Sequence, residues 1–210
     1  KKIIFIIPLA FSLAISQSSC SKEGDDVEIN ENTNTEKSII SEAEKEALIF
    51  MREEEKLARD VYLFSYEKHG MKIFNNISQS EQRHMDYLLD LLVKYDIPDP
   101  ASSEIGVFNN SELQVLYNEL IDQSNMDLLN ALLVGATIED LDIKDLNEYS
   151  AKTILPDILS VYDNLTCGSR NHMRSFISKI EGEGGSYEPQ FISKELFDSI
   201  LAGDKEQCGM

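Results

Sequence analysis

At 210 residues the chain is long enough for one domain with a sizeable core plus extensions, and its length alone gives no reason for two. Its 38 acidic residues against 19 basic ones leave a formal charge of -19. That charge argues against a nucleic-acid-binding surface, because phosphate recognition needs concentrated Lys and Arg.

Lys1 and Lys2 precede an apolar run from Ile3 to Ile15, too short for a comfortable membrane span and laid out like a secretory signal. The run ends in Gln17-Ser18-Ser19-Cys20, which resembles the lipobox of a bacterial lipoprotein, cut before Cys20 and lipidated there. Residues 1–19 are therefore expected to be a signal peptide, and the protein to be exported and lipid-anchored to the bacterial outer membrane or cell surface. Residues 20–40 are rich in Glu, Asp, Asn and Thr and read as an acidic disordered tether, because such a composition cannot bury a core. The other two cysteines, Cys167 and Cys208, form neither a CxxC pair nor a disulfide framework, and are open to being free thiols or a single bridge.

A first long helix is predicted from about Ser41, where Ser41-Glu42-Ala43-Glu44 is a capping-box pattern, to about His69, with Gly70 as its stop. Its stripe Leu48, Met51, Ala58, Tyr62 contains Glu55, whereas Glu54 shares a neighbouring stripe with Phe50, Leu57, Val61 and Phe64. Periodicity thus leaves two candidates for an inward carboxylate, and Glu53 faces away. A second helix is expected from about Ser78 to Tyr95, ended by Pro98 and Pro100. Its apolar positions Ile77, Leu88, Leu91 and Tyr95 are joined by Glu81 and His84 at a spacing of 4, 3, 4, 3, 4, one face of a helix. Burying that pair in an apolar seam is costly unless hydrogen bonds, opposite charge or a metal compensate it.

Residues 96–125 read as a long crossover in which only Ser111 to Asp122 is helical. A helix from about Met126 to Glu148 has the stripe Leu128, Leu132, Gly135, Leu146, Tyr149, which puts Glu139 and Asp142 inward. A helix from about Ile154 to Ile180, with Pro156 in its first turn, carries Ile154, Ile158, Val161, Leu165 and Gly168 on one stripe that continues into His172. A C-terminal extension, residues 183–210, contains a short helix near Ser193 to Leu201 and is expected to pack on the bundle of residues 41–182.

Four long helices, a long crossover between the second and third, and an inward ligand-type residue near the middle of each are the layout of a carboxylate-bridged di-metal bundle. The i, i+3 spacing stacks Glu81 and His84 one turn apart, so that Glu81 can bridge two metals while His84 binds one. At Met51 to Tyr62, Ser80 to Asp86, Gly135 to Leu146 and Gly168 to His172 the chain resembles a ferritin-like protein. It is more closely similar to an uncharacterised, rubrerythrin-related branch of that superfamily, a domain of unknown function, over roughly residues 41–202. The family's Glu-x-x-Ala-x-x-x-Tyr pattern matches Glu55, Ala58 and Tyr62, which selects Glu55 over Glu54. The second-helix Glu-x-x-His matches Glu81 and His84, the third-helix carboxylate Glu139, and the fourth-helix histidine His172. The chain departs from the family on the fourth helix, where Ser169 replaces an acid. The sequence leaves open whether Asp142 supplies the missing oxygen, whether one metal binds, or whether the site is vestigial.

The resemblance implies an all-α, ferritin-like four-helix bundle holding two iron ions, or iron with manganese; zinc is also compatible with the donors. Glu55 and Glu139 would be terminal ligands, Glu81 the bridge, His84 and His172 the imidazole ligands, and Tyr62 a hydrogen-bond donor behind them. The implied activity is that of a ferroxidase or a peroxide- or oxygen-reactive oxidoreductase with an external electron donor, because the cysteine pairs of rubrerythrins are missing. Membrane contact would be through the lipid anchor alone, and a homodimer is an allowed assembly. The alternative is a non-catalytic surface lipoprotein serving as a binding or structural module. In that case Glu81 and His84 would be held by hydrogen bonds and ion pairs, with Arg83 or Arg170 as partners.

Overall fold

The computed structural model describes residues 40–209, so the expected signal peptide, Cys20 and all but the end of the tether lie outside the described residues. Among the described residues there are six helices and no strand: α1 Glu42–His69, α2 Lys72–Lys94, α3 Ser111–Ser124, α4 Leu128–Ser150, α5 Pro156–Gly182 and α6 Lys194–Ala202. Helix α1 packs along α2 and α4 along α5, with further contacts of α1 to α4 and α2 to α5. Helix α3 lies against α1 and α4, and α6 rests on α5.

The capping box at the start of α1 forms as its residues dictate. The Ser41 hydroxyl accepts the Glu44 N–H and the Glu44 carboxylate accepts the Ser41 N–H, an arrangement worth about 1 kcal/mol. Gly70 ends α1 in the left-handed conformation at φ 68, where a Cβ would be strained, and its N–H closes on Tyr66 O. So short a turn makes α2 double back beside α1. Helix α2 starts at Lys72 and not near Ser78. No side chain caps it, but Ile73 and Phe74 are buried in the core, and that packing supports the extra turns. It ends at Lys94, with Asp96 left-handed at φ 59 before the two prolines.

Two further expectations change at helix starts. Asp127 caps α4 through Asn130 N, which leaves Met126 outside the helix and exposed. Pro156 opens α5 in the first turn, where its missing N–H costs nothing, so Ile154 precedes the helix; it is 89% exposed and does not belong to the apolar stripe.

The core is split in two. One apolar cluster gathers Val61, Tyr62, Phe74, Leu132, Phe176 and Ile180 with the side chains of α3 and α6. The other gathers Leu48, Met51, Leu88, Leu92, Leu146 and Leu165. Leucines of this second cluster with no exposed surface contribute about 2 kcal/mol each by leaving water. Arg52, Glu53, Glu54, Glu55 and Lys56 are all buried, so α1 is covered on every side at this level. Glu53, expected to face away, accepts the N–H groups of Asn109 and Asn110 at 2.6 and 2.9 Å, because the crossover wraps over that face. Cys167 and Cys208 form a disulfide that ties the C-terminal extension to α5.

Candidate metal centre

On all four long helices the apolar stripe is interrupted at the same height, between the two apolar clusters. Helix α1 brings Glu55, α2 brings Glu81 and His84, α4 brings Glu139 and Asp142, and α5 brings Ser169 and His172. The four carboxyl side chains and His84 are buried, and only the His172 side chain, at 11%, retains noticeable exposure.

Glu81 stands at the middle. One carboxylate oxygen, Oε2, is 2.7 Å from His84 Nδ1, and the other, Oε1, is 2.9 Å from His172 Nδ1. His84 Nδ1 also lies 3.1 Å from Glu55 Oε2, and His172 Nδ1 3.4 Å from Glu139 Oε2. The result is two groups that share Glu81, namely Glu55-Glu81-His84 and Glu81-Glu139-His172, each with its donor atoms within 4.8 Å of one another. The two imidazole rings are stacked with centroids 5.7 Å apart. Tyr62 donates its hydroxyl to Glu139 Oε1 at 2.6 Å, which fixes the carboxylate from behind.

Gly168 makes room for this arrangement. A Cβ at that position would come within 2.6 Å of His84 Nε2, so the α5 backbone can approach the imidazole only because no side chain intervenes. In the sequence Gly168 is one member of a stripe, and nothing marks it as clearance for a ring on another helix.

The charges do not balance without additional protons or a cation. Burial pushes the Glu55 carboxyl up to about 7 against the pull of His84, and burial likewise raises Glu139 despite His172. Asp142 is held well above the usual carboxylate range by burial and by the Glu55 and Glu139 charges. For Glu81 burial acts in the same direction, but two flanking imidazoliums outweigh it and keep the carboxyl well below the usual range. Burial disfavours both imidazoliums, yet Glu55 and Glu81 raise His84 far above its ordinary value, and Glu81 and Glu139 lift His172 to about 10.

Several buried polar atoms have no hydrogen-bond partner: Glu55 Oε1, Glu81 Oε1, Asp142 Oδ1 and His172 Nδ1. His172 Nδ1 and Glu81 Oε1 approach each other without the alignment of a hydrogen bond. Orphaned buried atoms are rare because each costs roughly 1–3 kcal/mol. Oxygen and imidazole donors converging on one layer fit a divalent metal, which would satisfy these atoms together.

Of the residues expected to form the site, Glu55, Glu81, His84, Glu139 and His172 enter the two groups. Asp142 does not; it faces Ser169, whose hydroxyl lies against Asp142 Oδ2 and also 3.0 Å from Leu165 O. Neither arginine considered as a partner serves the site. Arg83 is exposed, and Arg170 is bound by Glu206.

Uncharacterized protein MJ0754 of Methanocaldococcus jannaschii is 52% identical over 172 residues, spanning 81% of this chain and 93% of that protein. The crystal structure of hypothetical protein MJ0754 from Methanococcus jannaschii is similar with a TM-score of 0.80 at 51% identity, covering 83% of this chain and 100% of that one. Residues 44–204, which contain both Glu/His groups, match the uncharacterized protein domain DUF2202, and the chain belongs to that family.

Proposed function

We propose that the two Glu/His groups hold a pair of metal ions, iron or iron with manganese, in a ferritin-like four-helix arrangement, and that the protein is an oxygen- or peroxide-reactive oxidoreductase. The observation that carries this reading is the position of Glu81, whose two oxygens face two different imidazoles, as a bridging carboxylate requires. Donors from α1, α2, α4 and α5 and the placement of α3 within the crossover support the ferritin-like arrangement. The donor set contains carboxylate and imidazole and no thiolate, which favours iron and manganese and is compatible with zinc.

When bound, such a pair supplies a Lewis acid and, with iron, one-electron steps between ferrous and ferric states. Glu55 and Glu139 would hold the two ends of such a pair, and Glu81 would keep the two halves in register. The Nδ1 atoms of His84 and His172 would be the imidazole donors. Tyr62 holds Glu139 in orientation through its hydroxyl, and the apolar clusters on either side restrict water. Electrons come from an external donor. Export and anchoring through Cys20 would place this chemistry outside the cell.

Metal analysis after anaerobic Fe(II) loading tests the reading, with about two ions per chain expected. Protein without stoichiometric metal, together with a Glu81→Ala variant of unchanged melting temperature, would overturn it. A non-catalytic binding module is the second reading, and the Ser169-Asp142 contact, which occupies an acid that could otherwise bind metal, favours it. Metal content separates the two.

A further inference from the structure

Buried carboxylates outside the two Glu/His groups are almost all met by donors. Glu53 takes two backbone N–H groups. Asp60 takes Lys56, Arg59 and the Gly106 N–H. Asp140 takes the Tyr187 hydroxyl and the N–H groups of Gln190, Phe191 and Ile192. These three acids sew loops to helices, and their burial is explained by their hydrogen bonds.

Glu54 is the exception. It is 3% exposed, and neither of its oxygens meets an N–H or hydroxyl donor; the one side chain within hydrogen-bonding reach is another acid, Asp145. Its neighbours are more acids, Asp145 beside it and then Asp142 and Glu55. Asp142 and Glu55 each also keep one oxygen without a partner. In the outward direction the series reaches the surface. Asp145 is bound at 2.6 Å by Lys144, which also lies 3.4 Å from the exposed Glu148. A row of carboxylates therefore runs from the α4 surface through Glu54 to the central layer, and the Lys144 ammonium covers its outer end.

We propose that Glu54 and Asp145 form an outer subsite for a divalent cation, through which metal passes to the central Glu/His groups. The proposal rests on the reading of those groups as a metal centre. Two carboxylates completed by water suit a hard divalent cation, which keeps part of its hydration in such a site. A cation there would satisfy the orphaned Glu54 oxygens. Lys144 competes for Asp145, so an arriving ion must displace it.

Mn(II) uptake by the whole chain, followed by the loss of the free-ion magnetic resonance signal and by equilibrium dialysis, tests this. Wild-type protein is expected to bind one weaker ion beyond those at the centre. Glu54→Gln and Asp145→Asn should lose that ion and fill the centre at least about tenfold more slowly, with the same final central occupancy. Lys144→Gln should tighten the outer ion and speed filling, and because Lys144 is a surface residue this variant does not depend on the tolerance of the core. Glu119→Gln, which removes the same charge from an exposed face of α3, should behave as wild type. If Glu54→Gln keeps wild-type stoichiometry and rate, or Glu119→Gln slows filling as much, the outer subsite is refuted. His84→Ala combined with His172→Ala separates the two readings. Retention of the weaker ion alone supports both; retention of every wild-type ion removes the central reading and leaves the outer subsite.

Discussion

Gly168 lies against the ring of His84 so closely that any Cβ would come within 2.6 Å of Nε2. Alanine at this position should improve the helix by about 1 kcal/mol on propensity alone, so α5 itself is not harmed. The imidazole has to move instead. We predict that Gly168→Ala lowers affinity at the Glu55-Glu81-His84 group by roughly 10- to 100-fold, read by titration with Co(II) or Mn(II), while the protein still folds. An unchanged affinity would show that His84 Nδ1 is not a donor.

Tyr62 and Glu139 make the complementary case on the other side of the centre. Tyr62→Phe keeps the packing against Phe176 but leaves Glu139 Oε1 without its donor. The expected cost is about 1–3 kcal/mol in the metal-free protein, measured by urea unfolding. The loss should be smaller after metal loading, because a cation then compensates the same carboxylate.

Stability of the metal-free protein should fall as pH rises through neutrality. Glu55 is raised from 4.5 to about 7 and His172 from 6.5 to about 10, so the folded state binds more protons than the unfolded state over pH 4.5–10. The stabilisation from the His172 imidazolium is complete below 6.5 and is lost as pH passes 10. Below 4.5 the sign reverses, because Glu81 is held well below its ordinary value and its contribution disappears as it is protonated. A melting-temperature maximum near about pH 5 is expected, followed by a decline of several degrees, on the order of 5 °C, by pH 8. Metal should flatten or reverse that decline, since binding displaces the protons.

The Cys167–Cys208 bridge closes a span of 41 residues. Chain-entropy reasoning gives such a loop about 4 kcal/mol, acting through the unfolded state. Cys208→Ser should therefore lower the urea midpoint substantially. Metal content should be unchanged, because Glu206 still holds Arg170 and Arg174 on α5.

Most of the helices, and four of the five residues that enter the two Glu/His groups, are legible from periodicity. Glu81, His84, Glu139 and His172 each occupy an apolar stripe, and a stripe specifies a face. Glu55 needed the family pattern, because α1 is buried on all sides and two stripes were equally good. For the same reason Glu53 departs from the outward placement that its stripe predicts. Its partners are backbone N–H groups of the crossover, and backbone groups leave no trace in residue identity. Helix α2 starts before the point that the sequence marks, because Met71 supplies no cap and the helix is held by the burial of Ile73 and Phe74. The role of Gly168 depends on how closely two helices approach, which no single stripe encodes.

The division of the core into two apolar clusters bears on how the molecule comes apart. Among the described residues Phe50 alone packs against both clusters, and the rest of the coupling between the ends runs through a layer whose own cohesion depends on protons or a cation. Without metal, this waist should exchange its amide hydrogens sooner than either end, so that the ends loosen as separate units. With metal, the ends should melt together, and the sharpness of the unfolding transition becomes a gauge of occupancy.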